Sequence, residues 1–274
     1  MKKLLFLLSF FITNAYCADM QKDIFEAVGN NDLDLVDKYI QNGGNINITD
    51  EEEGKTLLMM AAKSGHLDMM KLLVNNGADL HFQNLQGATA LMLACQYGQK
   101  EAVEFLINKK ANLDLRDGEG STALMIAVRR HINKSNEGKM RPITRSIDTG
   151  RSIWTKKDNL ENIILLIKAK ANLDIQDNER NTALMLALSF GLNDVALLLL
   201  EAGADHNNLK NKDNQTAKII AIHQAELHPE KYSDIIKFFI DEERRRERIE
   251  TQNILPPIAT TMNPNLIKLI CDYI

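Results

Sequence analysis

Cysteine is scarce in this chain. Its three residues, Cys17, Cys95 and Cys271, are too few for a disulfide framework and lack the clustered His or Cys partners of a zinc site. Cys95 reads as a small buried residue. Aromatics make up only 5% against an apolar fraction of 45%, so the core must be mostly aliphatic, which suits stacked helices. Charge of one sign is lacking too: a net charge of -4 and a pI near 5.9 give no global reason to bind nucleic acid or an anionic membrane. Any basic patch must be local. There is no Gly-rich phosphate loop, no paired metal-ligand motif and no nucleophile with a local signature. The residues therefore point to a protein that is not an enzyme and has no catalytic residue, metal or cofactor. His81, His131, His206, His223 and His228 are scattered and read as surface or packing residues.

Long hydrophobic runs are also missing. The apolar run Leu4 to Ile12 is about half of the roughly 20 residues that span a bilayer. Preceded by Lys2 and Lys3 and followed by Ala15, Cys17 and Ala18, it reads as a secretory signal over residues 1–18, with a mature chain beginning at Ala18 or Asp19. An uncleaved anchor and a lipidated Cys17 are weaker alternatives, the second because bulky Tyr16 precedes the cysteine. The expectation is an exported protein, in the periplasm or the medium, with no membrane attachment after cleavage.

What is present is a repeat. Thr56-Leu57-Leu58-Met59, Thr89-Ala90-Leu91-Met92 and Thr122-Ala123-Leu124-Met125 begin 33 residues apart; Thr182-Ala183-Leu184-Met185 follows after 60, and Thr216-Ala217-Lys218-Ile219 after 34. Each unit fits two helices. The Thr caps the first, and apolar residues then recur at helical spacing, as in Leu91, Ala94 and Cys95. Met69, Leu72 and Leu73, or Val195, Leu198 and Leu199, mark the second. Gly77 and Gly203 read as C-caps, whereas Lys110 and Lys170 stand where glycine is expected, so those caps should be strained or differently built. A polar-apolar alternation such as Ala111-Asn112-Leu113-Asp114-Leu115, then Asp117-Gly118-Glu119-Gly120, reads as a short hairpin finger.

Gly54-Lys55-Thr56-Leu57-Leu58-Met59-Met60-Ala61-Ala62-Lys63-Ser64-Gly65-His66, followed by Gly77-Ala78-Asp79, resembles the ankyrin-repeat family over residues 21 to 240. The resemblance implies an all-α repeat solenoid of stacked helix-turn-helix units with short β-hairpin fingers. It makes His66 the family's loop histidine and implies protein binding through a concave face and the finger tips. Met replaces the motif His in four copies, so Met packing is expected where the family has polar ties.

The solenoid is assigned to residues 21–250, with a degenerate first repeat at 21–50 and a degenerate last repeat at 207–250, since terminal units need one polar face. Its charged end, Asp241 to Arg248, reads as a solvated helix face. A tail helix is placed at 251–274, packed on the last repeat. Its Leu255-Pro256-Pro257-Ile258 start is faintly similar to the opening of F-box-like modules, without their acidic residue or spacing. The extra residues of the long interval form an inserted loop at 133–158, where seven cations against three anions leave +4, and where the only tryptophan, Trp154, stands. Such a loop is either functional or disordered.

Transferring the family's binding positions gives Lys63, Ser64, Gln96, Tyr97, Arg129, Arg130, Ser189 and Phe190 on the first helices. Tip positions are Glu53, Leu85, Gln86, Glu119, Asn178 and Glu179. Leu85, Gln86, Tyr97, Arg129, Arg130, Phe190 and Trp154 are the expected partner contacts, because aromatic and arginine side chains dominate binding hot spots. Tyr97 and Phe190 can equally cover core edges. The expected function is non-catalytic binding of a protein partner by a monomeric, exported bacterial protein, with no nucleic acid involved. The alternative is a secreted effector that recruits host machinery through the insertion or the tail.

Overall fold

The computed structural model describes residues 23–135 and 157–252, with side chains over 23–131 and 160–246. The export signal, the insertion between 136 and 156 with Trp154, and the tail beyond 252 lie outside these residues. Twelve helices stand among the described residues, in six pairs: α1 (23–29) with α2 (Leu33–Gln41), α3 (Leu57–Ser64) with α4 (Leu67–Asn75), α5 (Ala90–Tyr97) with α6 (Lys100–Asn108), α7 (Ala123–Ser135) with α8 (Lys157–Lys168), α9 (Ala183–Ser189) with α10 (Asn193–Glu201), and α11 (Ala217–Leu227) with α12 (Pro229–Gln252). Each first helix from α3 onward packs on the first helix of the next pair, and the second helices do the same from α2 to α12. The result is an all-α repeat solenoid in two layers.

The threonines start the helices as their spacing requires. Thr56, Thr89, Thr122, Thr182 and Thr216 each accept, through the hydroxyl oxygen, the backbone N–H three residues on, at 3.3 to 3.4 Å. Met fills the place of the motif His in two ways. Met59, Met92, Met125 and Met185 are buried in the stack. In addition, the Met59 and Met92 sulfurs accept the N–H of Thr56 and Thr89 at 3.5 and 3.4 Å, closing the turn reciprocally as an acidic or amide side chain does in a capping box. The core runs continuously through the units and is made chiefly of Leu, Ile, Val, Met and Ala.

Of the two alternatives for the lysine caps, the structure has the strained one. Lys110 and Lys170 adopt φ of 65° and 63°, the left-handed geometry that Gly77 and Gly203 adopt at equivalent positions. A side chain there costs about 1 kcal/mol. Lys110→Gly and Lys170→Gly should each therefore raise stability by up to about 1 kcal/mol in urea melts. A lower unfolding midpoint in both variants would contradict this reading of the caps.

Two details differ from expectation. The helices flanking the insertion intrude on it: α7 runs to Ser135 and α8 begins at Lys157, so the loop is shorter than 133–158. α3 and α5 stop at left-handed Gly65 and Gly98. α7 has His131 at that position and no such stop. The fingers, moreover, are turns rather than hairpin strands, and the described residues contain one isolated antiparallel bridge, Thr49 with Thr56. Side chains take the N–H groups that a strand pair would use. Asp117 Oδ1 accepts from Glu119 and Ser121 at 3.0 and 2.7 Å, and Asn84, Asp177 and Asn211 act alike.

Candidate protein-interaction surface

The surface begins with how successive fingers hold one another. At each junction the backbone of one tip bonds the next: Leu85 N–H to Glu53 O at 3.1 Å, Gly118 to Gln86 at 2.8 Å, Asn178 to Glu119 at 2.9 Å, and Lys212 to Glu179 at 3.1 Å. The tip positions drawn from the sequence are thus fixed in register by their own backbones. Leu85 is 74% exposed and projects an apolar side chain from this row. Gln86 is exposed, although its Oε1 accepts from Asn84 Nδ2 at 2.7 Å.

A second tie repeats at the base of the fingers, and the sequence reading missed it. Asn47, Asp114 and Asp174 accept, through side-chain oxygens, the N–H of Asp79, Asn172 and Asp205 at 2.8 to 2.9 Å. His81 Nδ1 does the same for Asn112 at 3.3 Å. The signal was in view as Asn45-Ile46-Asn47, Asp79-Leu80-His81, Asn112-Leu113-Asp114 and Asn172-Leu173-Asp174. Its alternation reads as a strand, whereas its polar members form a side-chain ladder between units. Gln83 and Gln176 add a third tie, each donating to a carbonyl of its own finger and one of the next.

On the first-helix face the expected contacts fare differently. Tyr97 is half-buried, with the Lys63 ammonium 5.1 Å from its ring centroid, a cation–π distance. Arg130, one unit on, is half-buried beside Tyr97 and Cys95. Burial strips water from its guanidinium and pushes its pKa down to about 10, while the two neighbours oppose that fall. Cys95 is fully buried and its thiol is pushed up to about 12, again chiefly by burial, which makes it unreactive. Phe190 caps α9 and packs, half-buried, on the core edge.

Arg129 needs correcting as a partner contact. Its guanidinium is already engaged: Nη1 donates to Ser121 Oγ at 2.7 Å and Glu119 Oε2 at 3.2 Å, and Nη2 to Asp177 Oδ2 at 2.7 Å. The Asp177 side chain is 1% exposed, so the pair clamps two fingers from within. The other ion-paired finger carboxylates have cations of their own: Glu53 with Lys55 at 2.6 Å and Glu179 with Lys212 at 3.0 Å. Among the described residues, no group of three or more His, Cys, Asp or Glu is placed to hold a metal.

One buried group has no evident role. Asn162 in α8 is fully buried, and neither its amide nitrogen nor its oxygen has a hydrogen-bond partner. Val195 occupies the equivalent position one unit later and is equally buried. An unsatisfied buried amide costs about 1–3 kcal/mol. Asn162→Val should therefore raise the melting temperature, with a gain of about 1 kcal/mol or more. A drop in melting temperature would mean that the amide bonds to something in the folded protein.

Three matches to an ankyrin-repeat family model cover residues 24–117, 76–136 and 152–253. A stretch of 56 residues is 39% identical to part of the human 2-5A-dependent ribonuclease. That stretch is 20% of this chain and 8% of that protein, and the likeness is one of repeats only.

Proposed function

The chain belongs to the ankyrin-repeat family, whose repeats generally serve as non-catalytic protein-binding modules, and from that premise we propose that it is an exported protein which holds a protein partner against its first helices and finger tips. The observation that carries this reading is the row Lys63, Tyr97, Arg130 and Phe190, half-buried on consecutive helices that pack directly on one another. Side chains held this way lose little freedom when a partner arrives, so their contacts count nearly in full. Exposed Leu85 adds an apolar contact at the tips. Export rests on the signal-like residues 1–18 and places the working protein in the periplasm or the medium.

A pull-down with the mature chain, read by mass spectrometry, identifies the partner. Replacing Tyr97, Arg130 and Phe190 together by Ala should then weaken its affinity by about 2 kcal/mol, roughly thirtyfold, with the melting temperature checked in parallel. Deleting residues 136–156 should mainly slow association, because the positive insertion steers rather than anchors. Unchanged affinity in the triple variant with lost binding in the deletion would move the site to the insertion, with Trp154 as its leading anchor.

A further inference from the structure

We propose that Asn42, ahead of the chain's other Asn-Gly and Asp-Gly pairs, is a site of spontaneous deamidation at which the folded protein slowly exchanges a neutral side chain for a carboxylate. The inference is independent of the binding surface proposed above.

The chemistry takes water as its one co-reactant. The Gly43 backbone nitrogen gives its proton to solvent and attacks Asn42 Cγ; a C–N bond forms, the side-chain nitrogen leaves as ammonia, and a five-membered cyclic imide results. Water then opens the imide at either carbonyl. One opening gives aspartate. The other gives isoaspartate, whose main chain runs through the side-chain carbon. A glycine in the next position favours ring closure, since no Cβ crowds the attacking nitrogen.

Three pairs in the sequence have suitable residues: Asn42-Gly43, Asn76-Gly77 and Asp117-Gly118. The fold separates them. Asp117 Oδ1 already accepts the N–H groups of Glu119 and Ser121, and the Gly118 N–H is bonded to Gln86 O of the neighbouring finger at 2.8 Å. Asn42 and Asn76 hold equivalent places: each is exposed, caps a second helix and precedes a left-handed glycine, with φ of 79° and 90° and open space around it. In both caps the glycine N–H is bonded, Gly43 to Ile40 O at 2.9 Å and Gly77 to Val74 O at 3.2 Å, so closure waits for the cap to open. The surroundings then decide. Asn76 Nδ2 donates to Leu72 O at 2.9 Å, which holds the carbon to be attacked, and α4 packs between α2 and α6. The Asn42 side chain makes no hydrogen bond among the described residues, where α2 has a second-helix neighbour on one side, α4. In a stack whose units lean on their neighbours, a unit held from one side opens more readily than one held from both.

Deamidation loosens the first pair. A carboxylate at position 42 lies at the carbonyl end of α2, where the helix dipole disfavours negative charge. Isoaspartate also lengthens the main chain just before Gly44, whose N–H bonds Tyr39 O at 3.0 Å and where even a Cβ would run into the Tyr39 ring. Tyr39 Oη in turn donates to Asn45 O at 3.2 Å, so the longer chain disturbs a turn fitted around that ring.

The test holds the whole protein in mildly alkaline buffer and samples it by proteolysis and mass spectrometry, with fragmentation that separates isoaspartate from aspartate. A urea-unfolded sample runs beside it. The expected result is a gain of about 1 Da at position 42 roughly tenfold faster than at 76, and near-equal rates at the two positions once the chain is unfolded. Hydrogen exchange of α1 and α2 should become faster in the aged protein and stay unchanged in Asn42→Gln kept under the same conditions. Equal rates at 42 and 76 in the folded protein, earlier modification at 76 or Asp117, or an unmodified Asn42 each overturn the assignment. Aged protein in which α1 and α2 exchange as before overturns the loosening of the first pair.

Discussion

Leu91→Asp should unfold the central units of the array, whereas Gln86→Ala, five residues away, should leave stability within about 0.5 kcal/mol of the parent. Leu91 is 1% exposed in α5, and α5 packs on both α3 and α7, so its side chain belongs to two junctions at once. A carboxylate there is withdrawn from water into an apolar core. Either it stays charged and dehydrated or it takes up a proton; with the lost apolar burial the change costs on the order of 4 kcal/mol or more. Domains of this kind have about 5–15 kcal/mol in total. In a solenoid, where each unit leans only on its neighbours, a central defect also separates the two ends. Gln86 contributes to its junction through its backbone carbonyl, which Ala retains, and loses only the side-chain bond from Asn84. Melting followed by circular dichroism separates the two variants; equal midpoints would mean the wrong register.

Arg129→Ala should be the most damaging change among the polar residues of the row, at about 2–3 kcal/mol. Removing the guanidinium leaves the Asp177 carboxylate buried without its cation, and takes one charge-assisted bond from Glu119 and another from Ser121. The estimate lies at the low end for a buried pair because the Arg129 side chain is itself 33% exposed, and water screens part of the interaction. Asp177 also keeps the N–H groups of Glu179 and Asn181. A double-mutant cycle with Asp177→Asn isolates the pair. Neutralising the carboxylate should recover part of the loss, and additive losses would show that the two side chains act independently. The same cycle distinguishes clamp from contact, since a clamp changes melting in the free protein and a partner contact does not.

Much of the candidate surface was legible because the family pattern places it. Leu85 at an exposed tip and Tyr97 on the first-helix face stand where the spacing puts them. Arg129 could not be read that way. Arg130, the next residue, has the same chemistry, and only the fold brings Asp177, 48 residues away in sequence, within reach of Arg129. Asn162 gave no signal either, because an Asn in an amphipathic helix reads as an exposed polar residue until the neighbouring unit covers it.

The sequence by itself determined what depends on contacts a few residues apart. A Thr three positions before a Met caps a helix, a residue forced to positive φ ends one, and the recurrence at 33 residues states how many units stack and where the array is interrupted. These interactions close within one or two turns, so local order along the chain suffices to specify them. Only the tertiary structure decided what lies between units: the side-chain ladder through Asn47, His81, Asp114 and Asp174, the tip-to-tip backbone bonds, and the clamp from Arg129 to Asp177. Each joins residues 31 to 58 apart, or tips in adjacent fingers, and forms only when whole units have stacked in register, because hydrogen bonds and buried ion pairs depend on distances of a few tenths of an ångström that no spacing in the chain encodes.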